Sequence, residues 1–238
     1  MKRFCIQTAA AVLAAAAGFS LGLWQQAAGR SGGLWNMGSA PVVALLLVSL
    51  LAVAGAVWLS RAVPKMPRAL PRGGIWYVAD VVSGVLLTAA AALTFPGYTR
   101  LDLVCSLLGI LGGIITTLRG LQRYRDRQPD LLLGCVIVLW LLLQIIGDFR
   151  VWSTDPLILD YCYPLFALLC SMAACYHSAG WMAGLGKGRL TAFWCAAGLY
   201  FCAVALSMCS DSQLLLYLAL GILNGQTLAC VLQAEAAE

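Results

Sequence analysis

Runs of mostly apolar residues recur eight times along the chain, broken only by short polar stretches. Each is close to the roughly 20 residues that carry an α-helix across about 30 Å of hydrocarbon at 1.5 Å per residue. They cover residues 4–24, 41–60, 75–95, 101–118, 131–148, 156–180, 190–209 and 212–233. The fourth and fifth are the shortest, and flanking polar residues extend both. The longest polar interruptions hold about 15 residues, too few for a folded domain outside the membrane, since domains rarely fall below ~50 residues. The pattern predicts an all-α fold, a polytopic transmembrane helical bundle of eight helices, with residues 1–238 forming a single integral membrane domain.

Polar residues at the ends of the runs read as helix caps. Asp155 before Pro156 has the form of an N-cap followed by proline at the first helical position. Asp130 before Leu131, and Ser210 or Asp211 before the last run, read the same way, and Thr99 with Asp102 resembles a shortened capping box. These acids are therefore expected to serve structure before chemistry. The first run admits a second reading. Lys2 and Arg3 precede an alanine-rich stretch with small residues near Gln26 to Gly29, the layout of a signal peptide, and its removal would leave seven helices. Its length and the interfacial Trp24 argue for a retained helix.

Charge sets the orientation. With the amino terminus inside, the cytoplasmic side receives the twelve cations Lys2, Arg3, Arg61, Lys65, Arg68, Arg72, Arg119, Arg123, Arg125, Arg127, Lys187 and Arg189. The outer side receives three, Arg30, Arg100 and Arg150. Since positive residues concentrate in short cytoplasmic loops, both termini are expected in the cytoplasm. The proline-bearing stretch 61–74 should form a semi-rigid strap. It and the stretch RGLQRYRDRQPD could also touch anionic lipid headgroups.

Composition agrees with the pattern: 62% of residues are hydrophobic, 11% are charged, and the mean hydropathy is +0.88. Ordinary soluble domains hold about half and about a quarter. The formal charge of +5 falls in clusters between apolar runs, which is a topology signal and not a nucleic-acid footprint. The expected partner is the lipid bilayer, with no nucleic acid. All ten cysteines lie inside apolar runs without metal-ligand spacing, so neither a zinc nor an iron–sulfur site is expected. Cys105, Cys162 and Cys209 fall near the outer face, where a disulfide is chemically possible.

The residue inventory weakens several enzyme classes. No lysine lies within a helix to carry a retinal Schiff base. One histidine and no glutamate before Glu235 leave no H-E-x-x-H motif. GLGKGR near Gly184 lacks the P-loop spacing and its Ser/Thr, and VVSGV at residues 81–85 keeps only the Ser-Gly pair of a hydrolase elbow. No cofactor and no catalytic residue is expected.

What remains are polar groups at membrane depth, where burial is unfavourable and function is the default hypothesis. These candidate binding residues are Asp80, Gln144, Asp160, His177, Asn224 and Gln226. Asp80 shares a helix face with Ser83, Gly84, Leu87 and Thr88, so that face should meet other helices. Asp80 and His177 fall at similar depth on the cytoplasmic half and would form a titrating pair if the third and sixth helices were neighbours. Asp160 could line an outer vestibule with Tyr161, Tyr163, Asp148, Arg150 and Arg100. Gly109 with Gly113, and Gly221 with Gly225, are small-residue pairs suited to close helix crossing, while Asn224 and Gln226 suit interhelical hydrogen bonds.

The stretch TDPLILDYCYPLFALLCSMAACYHSAGW followed by GKGR resembles a pattern in uncharacterised multi-pass membrane proteins of anaerobic Firmicutes, over roughly the last third of the chain. The resemblance implies a bacterial cytoplasmic membrane and carries over no functional residue. The function expected from the sequence is the handling of a small solute or ion across the membrane. The alternative is a membrane sensory or scaffold module acting through a protein partner on its basic loops.

Overall fold

The structure is a computed structural model and describes residues 1–238 apart from residues 1, 29, 32–33, 36–37, 64–73, 95–99, 126–130, 154–160, 183–184, 186, 210 and 237–238. The described residues form eight helices: α1 (Lys2–Ala28), α2 (Ala40–Ala62), α3 (Gly74–Leu93), α4 (Arg100–Tyr124), α5 (Leu131–Trp152), α6 (Cys162–Met182), α7 (Gly188–Met208) and α8 (Asp211–Ala236). Between α1 and α2 the chain makes one small antiparallel ladder of β1 (Arg30–Ser31) and β2 (Leu34–Trp35), pairing Arg30 with Trp35 and Ser31 with Leu34. Among the described residues, seven of the helices, all but α5, are long and apolar enough to cross a membrane. Helix α5 is 22 residues long, about 33 Å at 1.5 Å per residue.

The outside of the bundle is apolar on every helix. Ile6 and Leu13, Leu47 and Leu51, Val85, Leu107, Ile146, Phe166, Leu190 and Leu214 are all exposed. A water-soluble monomer rarely shows contiguous apolar surface on such a scale, whereas hydrocarbon solvates it. This is a multi-pass membrane protein. Two-thirds of the span of α8 (67%) is buried against 17% of that of α2, so α8 is central and α2 peripheral. Helix α8 packs on α7, α3 and α1; α7 also packs on α6, α1 and α2; and α5 bridges α4 and α6.

Small residues set the closest approaches, as expected where lipid offers no hydrophobic drive between helices. Helices α3 and α4 form the most extensive pair. A Cβ on Gly84 would stand 2.7 Å from the Gly113 carbonyl oxygen, and one on Gly113 2.7 Å from the Gly84 carbonyl oxygen. The Gly109 and Gly113 pair thus packs within the chain, against Ala91 and Thr88. Gly221 and Gly225 face Cys202 and Leu199 of α7 more loosely. Helix α1 is built into the bundle: a Cβ on Gly18 would lie 2.7 Å from the Tyr200 ring, and Gly22 abuts Ser207.

Helix boundaries follow the apolar runs within a few residues at most ends, with one consequential difference. Helix α4 continues six residues past the expected end at Leu118 and takes in Arg119 and Arg123. Helix α6 starts at Cys162, and the caps expected at Asp155, Asp130 and Thr99 lie outside the described residues. Among the described residues no two cysteines form a disulfide.

Candidate functional site

The extension of α4 creates a charge cluster inside the bundle. Asp80, in the second turn of α3, is fully buried, and its side chain meets two arginines of α4 one turn apart. Arg119 Nη2 donates to Asp80 Oδ1 at 2.7 Å. Arg123 Nη1 lies 2.9 Å from Oδ2, but off the hydrogen-bond direction, so neither atom has a hydrogen-bond partner. The arginine side chains are 5% and 11% exposed. The geometry depends on close helix approach at Gly120, where a Cβ would come within 2.9 Å of the Tyr77 carbonyl oxygen and 3.0 Å of Asp80 Cβ. The Tyr77 and Tyr124 rings, 5.0 Å apart, close the end of this helix pair.

Two guanidinium charges thus face one carboxylate, and among the described residues no second acid pairs with them. Arg119 Nε, Arg123 Nε and Arg123 Nη1 have no hydrogen-bond partner, and neither does the neighbouring Gln122 Oε1. A buried unpaired donor is unfavourable by about 1–3 kcal/mol. Three central helices contribute thiols around the cluster. Cys230 of α8 is within hydrogen-bonding reach of Arg123, and Cys175 of α6 lies near Arg119. Cys195 of α7 lies in the same neighbourhood. Gln226 stands one turn from Cys230 on the same face of α8, about 6 Å further along the axis. It is 5% exposed, and neither atom of its amide is bonded.

The other expected site residues are scattered. Asn224 is buried in α8 and donates from Nδ2 to Ser171 Oγ of α6 at 2.8 Å, with Cys202 Sγ of α7 at 3.9 Å. It ties three helices together as interhelical glue. Gly198 makes room for it, since a Cβ there would stand 2.7 Å from Asn224 Nδ2. Gln144 is half-buried and donates within its own helix to both carboxylate oxygens of Asp148, at 3.0 and 3.1 Å. His177 is half-buried in α6 with its ring edge-on to Tyr176, centroids 5.3 Å apart. Asp160 lies outside the described residues.

The pairing expected between Asp80 and His177 required α3 and α6 to be neighbours, and α3 packs instead on α4 and α8. Asp80 spends its carboxylate on Arg119 and Arg123. Those two arginines, counted above among loop cations, are the residues that hydropathy missed. Their signal lay in spacing: Gly109, Gly113 and Gly120 run on as one small-residue stripe, and Arg119 and Arg123 are an i, i+4 pair that shares a face only if the helix continues.

Comparison of the chain with known protein families, curated proteins and solved structures finds no significant match.

Proposed function

We propose that this membrane protein handles a small anionic solute, held by Arg119 and Arg123 at the end of the bundle that the charge bias assigns to the cytoplasm. The observation that carries this reading is the excess of buried guanidinium charge over carboxylate, together with the unpaired N–H groups of both arginines. A guanidinium presents five donors in a planar fork that matches carboxylates and phosphates. A structural ion pair would need only one arginine. The second leaves donors unmet in a site shielded from water, and an oxyanion with several acceptors would satisfy them together and neutralise the cluster. The unbonded amide of Gln226 extends the polar surface from the cluster towards the middle of the bundle, as solute handling requires. The sensory or scaffold reading rests on basic connections whose residues 64–73 and 126–130 lie outside the described residues, and no observation favours it.

Thermal unfolding of the purified protein in detergent, at constant ionic strength in phosphate, sulfate, acetate or chloride, tests the proposal. An oxyanion that binds the folded state adds about 2.7 kcal/mol of stability at a hundred times its dissociation constant. A saturable rise in Tm with at least one oxyanion, abolished in Arg123→Gln, is the expected result. Equal Tm in all four salts would refute the proposal.

A further inference from the structure

At the opposite end of the bundle from the charge cluster, helices α2 and α6 each pack on α7 far more than on each other. The gap between them is a groove of about 500 Å³, floored by α7 and reached by Gln25 of α1. On α2 it runs from Val42 to Val53, eleven residues or about 16 Å at 1.5 Å per residue. It begins at the ends of the helices: Val42 is near the start of α2, Cys162 opens α6, and Gln25 is in the last turn of α1. On α7 it reaches down to Phe193, in the second turn of that helix and far from the Gln25 end, so the groove passes the middle of a ~30 Å hydrocarbon core and has the length of an extended acyl chain. Its mouth is flanked by Leu46, Leu50 and Phe166, which are 47%, 61% and 47% exposed on the lipid-facing surface.

The walls are apolar except at a few points. Ser49 is already bonded to the Leu45 carbonyl and to Tyr200 Oη at 2.9 Å. Gln25 is different. It is 6% exposed, it lines the groove at its helix-end extremity, and its Oε1 accepts no hydrogen bond. An apolar slot of this volume with one oriented polar group has the character of a small-molecule site. Here the length, the lateral opening and the polar end together select a lipid.

We infer that the groove between α2 and α6 holds one acyl chain of a membrane glycerophospholipid whose head group donates a hydrogen bond to Gln25 Oε1. Phosphatidylethanolamine carries such a donor and phosphatidylcholine does not. This site is separate from the arginine cluster and does not depend on the reading given to it.

The test uses the full chain reconstituted into nanodiscs of equal phosphatidylethanolamine and phosphatidylcholine. Native mass spectrometry after transfer to detergent counts retained lipid. A parallel sample carries a photoactivatable group on the acyl chain, and peptide mapping locates the crosslinks. Wild type should retain one lipid and prefer phosphatidylethanolamine by about tenfold or more, the scale of one hydrogen bond to a charged group. Crosslinks should concentrate on Leu46, Leu50 and Phe166 over Leu47 and Leu51, which face lipid outside the groove. Gln25→Leu should remove the head-group preference and keep the crosslinks. Ala197→Phe, which fills the floor, should abolish retention, and Val53→Phe fills the same space from α2 should Ala197→Phe fail to fold. Arg123→Gln should leave retention unchanged. A wild type that retains no lipid, crosslinks spread evenly over the exposed leucines, or undiminished retention in a folded groove-filling variant would overturn the inference.

Discussion

Removing the acid and removing one base of the buried cluster should have very different consequences. At an effective dielectric of about 20, unit charges 4 Å apart interact by on the order of 4 kcal/mol. Asp80→Asn deletes two such attractions, to Arg119 and Arg123, and leaves the two guanidiniums repelling each other without a counter-charge. Relaxation and water entry moderate this, and removal of one partner of a buried pair is unfavourable by about 3–5 kcal/mol. Arg123→Gln deletes one attraction and one repulsion of similar size, which nearly cancel. The remaining pair, Arg119 Nη2 to Asp80 Oδ1 at 2.7 Å, is the one with hydrogen-bond geometry, so the expected loss is about 1 kcal/mol or less, the scale of a weakly contributing ion pair. Reversible denaturation of both variants in mixed micelles, followed by circular dichroism and tryptophan fluorescence, gives the two values. The reasoning fails if Arg123→Gln is as damaging as Asp80→Asn. It also fails if Asp80→Asn is nearly neutral, for then the cluster is hydrated and the positive excess is not confined.

Three further expectations rest on particular contacts. Gly84→Val should destabilise the protein by about 1–3 kcal/mol or more, the range for overpacking, because the atoms it would strike are the Thr117 amide nitrogen and the Gly113 carbonyl oxygen. Unfolding midpoints check it, and an unchanged midpoint would show that α3 and α4 can separate freely. Asn224→Ala should lose about 0.6–1.7 kcal/mol, the range for interhelical hydrogen bonds in membranes, and the same assay reads it against Ser171→Ala, with the double variant expected to be less than additive. Reporter fusions after Arg72, Arg127, Arg189 and Glu238 should report cytoplasm and those after Ser31, Tyr98 and Ser153 the exterior. A cytoplasmic signal after Ser153 would contradict the eight-helix topology.

Hydropathy located the helices well because a spanning segment must satisfy its own backbone and show apolar side chains to lipid, and both demands are local in sequence. Helices α2, α3, α7 and α8 fall within three residues of their expected ends. The same logic failed at the end of α4. Arg119 and Arg123 read as polar loop because the compensation for burying them lies on another helix, at Asp80. Lateral order is equally invisible: Asp80 and His177 share a depth, yet depth says nothing of which helices touch. The face of Asp80 was readable, since the i, i+3, i+4 rule puts Ser83, Gly84, Leu87 and Thr88 beside it, and Ser83 and Leu87 are fully buried. Asn224 was readable as helix glue, but its partners Ser171 and Cys202 were not, being 53 and 22 residues away in the chain.

The anion site can be observed directly by anomalous diffraction at the selenium edge from crystals soaked in selenate, an oxyanion with the shape of sulfate. The account predicts a peak between α3, α4 and α8, with selenate oxygens within about 3 Å of Arg119 Nε and Arg123 Nε, and its disappearance in crystals of Arg123→Gln. A cluster left without a peak, with selenate found only at surface cations, would contradict it.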